Sequence, residues 1–189
     1  MSTNFTFSIN REIAEDGGRL GRSGVIHTPH GEIKTPAFIP VGTKATVKSV
    51  LPESMTQLGA QAILANAYHL YLQPGAETLD AAGGLGQFMN WHKPTFTDSG
   101  GFQVMSLGVG FKKVIAMDAE TFHADDVIAA KKERLAHVDD DGVTFKSHLD
   151  GSQHRFTPEV SMQVQHAIGA DIMFAFDECT TLQIGRAHV

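Results

Sequence analysis

Two short stretches carry the side chains best suited to chemistry, and the first begins at Asp98. The tetrapeptide Asp98–Gly101 is followed at once by Phe102. A carboxylate here could accept or deliver a proton, and an adjacent aromatic ring could stack on a planar ligand. The small residues Ser99, Gly100 and Gly101 would leave backbone N–H groups open to that ligand. A strand-to-helix turn with a solvated aspartate and a core phenylalanine is the alternative, and the tetrapeptide alone leaves both open.

The second stretch is Phe176–Cys179. A carboxylate at Asp177 could accept hydrogen bonds from an N–H-rich edge such as the Watson–Crick side of guanine, or it could cap a following helix. Cys179 has no evident histidine partner, which favours a small pocket-lining residue over a nucleophile. His27 and His30 are spaced like ligands, but two ligands make no metal site, so none is expected.

Three short apolar segments, each typical of a strand buried on both faces, end at a polar residue. They are Ala62–Ala65 before Asn66, Thr95–Thr97 before Asp98, and Ile172–Phe176 before Asp177. Strands of this kind, when joined through helices, predict a parallel sheet. In a β/α barrel the carboxyl ends of the strands form the active-site face, so we expect the three polar residues there.

Hairpins and helices are predicted around these strands. Antiparallel hairpins are expected for Arg19–Thr28 with Glu32–Pro40, and for Val143–Ser147 with Gln153–Phe156 around Asp150 and Gly151. The strongest helix begins with Thr157 as its cap and Pro158 at its first position, and it ends at Gly169. Its apolar face comprises Val160, Val164, Ala167 and Ile168. The remaining predicted elements are helices at Pro52–Leu58, Pro74–Ala82 and Asp125–Val138, and a strand at Lys112–Asp118.

Composition limits the class of protein. The 189 residues are 42% hydrophobic with a net charge of −6, which indicates a globular chain without an overall basic field for nucleic acid, although a local patch could still bind it. One cysteine excludes an intrachain disulfide and a cysteine-rich zinc site within the chain. No signal peptide or membrane-spanning run is recognised, so a soluble, cytoplasmic protein is expected. Because an eight-unit barrel takes about 250 residues, a barrel in this chain would be truncated.

A set of longer motifs in the same order resembles the tRNA-guanine transglycosylases (queuine tRNA-ribosyltransferases). The resemblance runs from about Gly24 to Thr180, and its motifs are Lys34–Thr43, Ala65–Leu70, Gln73–Ala76, Phe96–Gly108, Gly142–Gly151 and Asp171–Cys179. It implies the N-terminal part of an irregular (β/α)8 TIM barrel, preceded by an antiparallel β segment and incomplete in this chain.

The resemblance also implies an activity. Members of the family act on tRNA and replace guanine at the anticodon wobble position with a 7-deazaguanine, through a covalent glycosyl–enzyme intermediate like that of a retaining glycosidase. The target nucleotide must be extruded into the pocket for this chemistry. Two details, Gly101 and the placement of Cys179, match the bacterial branch, for which the incoming base is preQ1 (7-aminomethyl-7-deazaguanine).

Residue roles follow from the same resemblance. Asp98 resembles the family's proton acceptor and base-positioning carboxylate, and Asp177 the carboxylate that recognises the amino and ring N–H edge of the base. Phe102 matches the aromatic residue that stacks on the base. The rest of the base-binding segment is Ser99, Gly100 and Gly101, and the residues expected near the pocket are Asn66, His69 and Cys179.

The chain departs from the family pattern in three places. The nucleophilic aspartate and a zinc site of three cysteines and a histidine are expected beyond residue 189, so no cofactor is expected within this chain. Val109–Glu133 is longer than the usual connection, and a passive surface elaboration is favoured over an insertion near the tRNA. Ile184–Val189 matches one frame of a common sequencing adapter, so residues 1–183 are expected to be native and 184–189 a non-native tail.

Several alternatives remain at this stage. The leading hypothesis is an N-terminal fragment of an active enzyme, which would be a homodimer when complete. A non-catalytic accessory subunit or an inactive truncated copy of the same family is the second. An unrelated barrel glycosidase, with Asp177 as its second carboxylate, is the third. The chain alone is expected to be inactive and prone to aggregation, because half a barrel leaves strand edges unpaired.

Overall fold

The computed structural model of the chain describes residues 5–15, 18–104 and 136–177. Two compact units divide the chain: residues 1–99 with 162–175 form the first, and residues 100–161 with 176–189 form the second. The strands, in chain order, are β1 (Thr6–Glu15), β2 (Gly18–Thr28), β3 (Gly31–Thr35), β4 (Ile63–Ala65), β5 (Thr95–Thr97), β6 (Ala136–Asp139), β7 (Gly142–Lys146), β8 (Gln153–Phe156) and β9 (Ile172–Met173). The helices are α1 (Pro52–Gln57), α2 (Ala67–Leu72), α3 (Ala76–Ala81), α4 (Leu85–Phe88) and α5 (Pro158–Ile168).

The first unit opens with an antiparallel sheet in the order β1-β2-β3. The turn between β2 and β3 is closed by Thr28, whose hydroxyl donates to the Gly31 carbonyl at 3.0 Å and accepts from the His30 N–H at 3.2 Å. This confirms the predicted hairpin. The second strand of this hairpin, β3, ends at Thr35 instead of the predicted Pro40, because Pro36 has no N–H to donate to the ladder.

A parallel sheet in the order β4-β5-β9 forms the centre of the first unit. Ala65 pairs with Thr97, and Thr97 with Met173, so the carboxyl ends of the three strands lie at one edge. The α/β class and the parallel sheet are thereby confirmed. The predicted strand Ile172–Phe176 is too long: β9 stops at Met173, because β5 ends at Thr97 and offers no further ladder.

The short helices of the first unit were partly predicted. α1 and the glycine that follows it, Gly59 at φ 88°, are as expected, and α3 begins at Ala76 instead of Pro74. Helices α2 and α4 are not predicted by the sequence pattern, because at six and four residues they are too short to show helical periodicity. Five large side chains at most 2% exposed form the core here: Tyr68, Leu70, Leu79, Leu85 and Trp91.

The second unit contains an antiparallel sheet in the order β6-β7-β8. The hairpin around Asp150 and Gly151 is confirmed, with Val143, Phe145 and Phe156 buried on the sheet. The helix predicted for Asp125–Val138 is wrong at its end: residues 136–138 are extended in β6, because the side chain of Asp139 accepts the N–H groups of Asp141 and Gly142 and closes a tight turn into β7. The rest of that segment, and the predicted strand Lys112–Asp118, lie outside the described residues.

Helix α5 begins as predicted. The Thr157 hydroxyl accepts the Val160 N–H at 3.3 Å, Pro158 occupies the first position, and Gly169 follows the end at φ 72°. Val164 and Ile168 are buried, but so are two polar residues that the apolar pattern did not indicate, Ser161 and Gln165. Throughout the described ranges no helix is long and apolar enough to cross a membrane.

Candidate active site

Asp98 and Asn66 meet at the carboxyl edge of the parallel sheet. Asn66 follows β4 and Asp98 follows β5, so parallel pairing brings the two side chains together. The Asn66 amide donates to one oxygen of the Asp98 carboxylate, and the Ala67 N–H donates to the other at 2.8 Å. Asp98 is half-buried, so part of the residue is accessible from solvent. This arrangement can hold a proton acceptor at a fixed position.

The other residue of the Asn66 motif expected near the pocket is His69. It lies on α2, one turn after Asn66, and its ring packs edge-on against Tyr68 with centroids 5.2 Å apart.

The segment after Asp98 is more enclosed than expected. Ser99, Gly100 and Gly101 are all buried, although their backbone was expected to be open to a ligand. Gly100 has φ 79°, which explains the glycine at this position, and residues 101–104 are helical. Phe102 is 48% exposed, so its ring is accessible for stacking.

A cavity of about 470 Å³ lies within the second unit. Its lining contains two residues that the sequence singled out, Gly101 and Asp177, together with Phe176 and the turn Asp139–Gly142. Phe176 packs against the fully buried Phe156, with ring centroids 6.4 Å apart, which anchors the residue before Asp177. The volume falls within the range usual for small-molecule sites and is ample for a purine-sized base.

The sequence analysis missed the acidic turn of this cavity. Asp139, Asp140 and Asp141 all line it. Arg155 binds the Asp139 carboxylate through two hydrogen bonds, of 2.6 and 2.7 Å, and this guanidinium lowers the pKa of Asp139 to about 2. The run of three aspartates before Gly142 was the available signal, but it also fits an ordinary solvated turn.

The two histidines spaced like metal ligands have other partners. His27 lies 3.2 Å from the Glu32 carboxylate, and His30 lies 2.7 Å from the carboxylate of Asp171. No group of three or more histidine, cysteine, aspartate or glutamate side chains that could hold a metal ion occurs among residues 5–15, 18–104 and 136–177. Cys179, the stretch Val109–Glu133 and the tail Ile184–Val189 lie outside these residues.

Comparison with known proteins gives a consistent result. The family model "Queuine tRNA-ribosyltransferase" matches residues 16–189. A queuine tRNA-ribosyltransferase of Ruegeria pomeroyi is 47% identical over the full chain and one of Moorella thermoacetica is 50% identical over 92% of it. The chain spans 42% and 39% of the length of these two relatives.

Proposed function

Because the chain belongs to the queuine tRNA-ribosyltransferase family, we propose that the full-length protein replaces guanine at the wobble position of tRNA with a 7-deazaguanine, preQ1. The observation that carries this proposal is the cavity shared by Gly101 and Asp177, two residues from separate motifs of the resemblance. Their presence in one cavity of purine size supports a base-binding role for this part of the chain.

In the proposed reaction, a carboxylate outside this chain attacks the anomeric carbon of the ribose. The bond from that carbon to guanine N9 breaks, and guanine leaves with the electron pair and takes up a proton from water. The N9 of preQ1 then forms the new bond as the carboxylate departs, and its proton passes to Asp98. The half-buried carboxylate of Asp98, fixed by Asn66 and Ala67, is suited to accept that proton.

Recognition of the base would fall to the second unit. Asp177, at the cavity wall, would accept the amino and ring N–H groups of the base, and the exposed ring of Phe102 would stack on it. The family's zinc ion does not fit the described residues, which offer no cluster of three ligands. We propose that parts of the protein outside this chain supply the zinc ligands, the nucleophile and the homodimer contacts. The full-length protein would act on tRNA in the cytoplasm.

The direct test is incorporation of radiolabelled guanine into tRNA by the full-length protein. The expected result is incorporation at the wobble position, competed by preQ1, with no incorporation into a tRNA whose wobble guanine has been replaced. A protein that binds tRNA and base without exchange would instead be an accessory subunit or an inactive copy. Residues 1–189 alone, assayed in parallel, should give no incorporation because the nucleophile is missing.

A further inference from the structure

Gln165 is an unusual residue for the middle of a helix that packs on a parallel sheet. Its side chain is fully buried on α5, where the neighbouring buried positions Val164 and Ile168 are aliphatic. Burial of a primary amide is unfavourable unless both its oxygen and its nitrogen are hydrogen-bonded. The hydrogen-bond partners of the Gln165 amide therefore indicate the role of this residue.

The amide of Gln165 connects the ends of two strands. Its Nε2 donates to the Phe174 carbonyl at 3.0 Å, and its Oε1 accepts from the Thr97 hydroxyl at 2.9 Å. A carbonyl oxygen can only accept, so the nitrogen must face Phe174 and the oxygen must face the hydroxyl. The orientation of the amide is thus determined by its partners, and it demands that Thr97 donate.

A backbone hydrogen bond closes these contacts into a ring. The Phe174 N–H donates to the Thr97 carbonyl at 3.1 Å, one residue after β9 ends. Thr97, Phe174 and Gln165 therefore each bond to the other two. Regular pairing of β5 with β9 stops at Met173, and this ring, which we call the Gln165 ring, adds side-chain hydrogen bonds at that end of the ladder.

The residue that follows Thr97 is Asp98. The carboxylate of Asp98 is held by Asn66 and Ala67, but its backbone is held by Thr97 on one side and by a 3.3 Å hydrogen bond from its N–H to the Ala65 carbonyl. A shift of Thr97 would move Asp98 relative to its partners Asn66 and Ala67. Reaction rates are sensitive to such shifts, since misplacement by about 1 Å can cost about 100-fold.

We infer that Gln165 is a positioning residue for base exchange, which acts through Thr97 to hold the Asp98 carboxylate in place. The inference rests on the proposed function, because it assigns Gln165 a part in the reaction that Asp98 serves. A residue that only packs α5 onto the sheet would not need an oriented amide, and an aliphatic side chain would fill the same space.

The first test compares kinetics of full-length variants. Gln165→Met and Thr97→Val each open the ring, and each should lower kcat by about 10- to 100-fold while leaving the KM for tRNA within about twofold. Thr97→Ser keeps the donor and should retain most of the activity. The double variant should be no worse than either single variant, because both remove the same interaction. Ile168→Val is the matched control, since it alters buried α5 packing without touching the ring.

The second test uses Gln165→Glu and pH. A protonated carboxyl can donate to Phe174 and accept from Thr97, whereas an ionised one places an acceptor against the Phe174 carbonyl. Burial without a cationic partner favours the protonated form. At pH values above the pKa of the introduced carboxyl, the ratio of variant to wild-type kcat should therefore rise about tenfold for each unit by which pH falls, and it should level off below that pKa, whereas a structural role would leave the ratio flat throughout.

Three results would overturn the inference: full activity in Gln165→Met, a loss in Ile168→Val equal to that in Gln165→Met, or a flat pH ratio for Gln165→Glu. If the wild-type protein exchanges no guanine, the proposed function fails, and the ring is then judged by structure alone. In that case a crystal structure of the Gln165→Met protein decides: displacement of Asp98 from Asn66 and Ala67 supports positioning, and an unmoved carboxylate refutes it.

Discussion

A carboxylate lies at each end of strand β5, but the two carboxylates differ in their exposure to solvent and in the donors around them. At the carboxyl end, Asp98 is half-buried and accepts from Asn66 and Ala67. At the amino end, the Asp171 side chain is only 1% exposed, and it accepts from the Thr95 N–H at 2.9 Å, from the Thr95 hydroxyl at 3.3 Å and from His30 at 2.7 Å.

We propose that this difference separates a carboxylate that serves the reaction from one that serves the fold. Asp171 is enclosed by donors of the protein itself and joins the start of β5, the start of β9 and the turn between β2 and β3. Asp98 is held at the edge where β/α proteins bind their ligands, and it remains reachable. An aspartate next to one end of this short strand therefore serves the fold, and in our account the aspartate at the other end serves the reaction.

The largest effect is expected from Asp98→Asn in the full-length protein. Loss of the proton acceptor should lower kcat for guanine exchange by about 10²- to 10⁴-fold. The unfolding free energy should change by less than about 1 kcal/mol, because the Asn66 amide can turn its oxygen toward the new amide. Guanine incorporation and urea unfolding measure the two quantities. A large loss of unfolding free energy in this variant would show that Asp98 stabilises the fold as Asp171 does, and would contradict the proposed difference between them.

Asp171→Ala should give the largest loss of stability. It leaves the Thr95 N–H buried without an acceptor and removes the partner of His30, which should lower the unfolding free energy by about 3 kcal/mol. Urea unfolding of the full-length protein is the measurement. Asp80→Ala, at an exposed position on α3, is the matched control and should change stability by less than about 0.5 kcal/mol. Equal effects of the two changes would contradict the structural role.

His30→Ala should have a smaller effect than Asp171→Ala. The His30 side chain is 59% exposed, so water can replace its hydrogen bond to Asp171, and a loss of about 0.5 kcal/mol is expected. The same unfolding experiment applies. A loss as large as that of Asp171→Ala would mean that the histidine, rather than Thr95, supplies most of the interaction.

Asp139, beside the cavity, is a third kind of carboxylate and should show the smallest effect on stability. Its pKa in the folded protein is about 2, because Arg155 hydrogen-bonds to the ionised form. A lowered pKa stabilises the folded protein above the ordinary value of 3.8, and this stabilisation is lost as pH falls from about 4 to about 2. NMR titration of the carboxyl carbon measures the midpoint. Arg155→Met should return it toward 3.8, and an unchanged midpoint would show that Arg155 is not the cause.

Local signals predicted much of this fold. Turn residues such as Gly31 and Gly151 predicted the hairpins, and Thr157 and Pro158 predicted the start of α5. These residues have strong backbone and capping preferences that depend only on the neighbouring sequence. The end of β9 could not be predicted, since it depends on where its partner β5 stops. The apolar run Ile172–Phe176 carries no information about that partner.

The candidate site was predictable only in part for the same reason. Asp98 and Asn66 each follow a short strand, and parallel pairing then brings them together. The burial of the Gln165 amide follows from no periodic pattern, because one of its partners, Thr97, lies 68 residues away in the sequence. The three consecutive aspartates Asp139–Asp141 are evident in the sequence. Their position in the wall of a cavity depends on tertiary packing, which the local sequence does not indicate.

The most direct test of the central claim measures guanine exchange by Asp98→Asn and Asp171→Asn side by side. Both changes are made in the full-length protein, at a temperature where unfolding shows each to be folded. Our account predicts that Asp98→Asn loses nearly all exchange, while the folded fraction of Asp171→Asn keeps a kcat close to that of the wild type. Retention of exchange by Asp98→Asn, or an equal loss in both, would contradict the assignment of chemistry to the carboxyl end of β5.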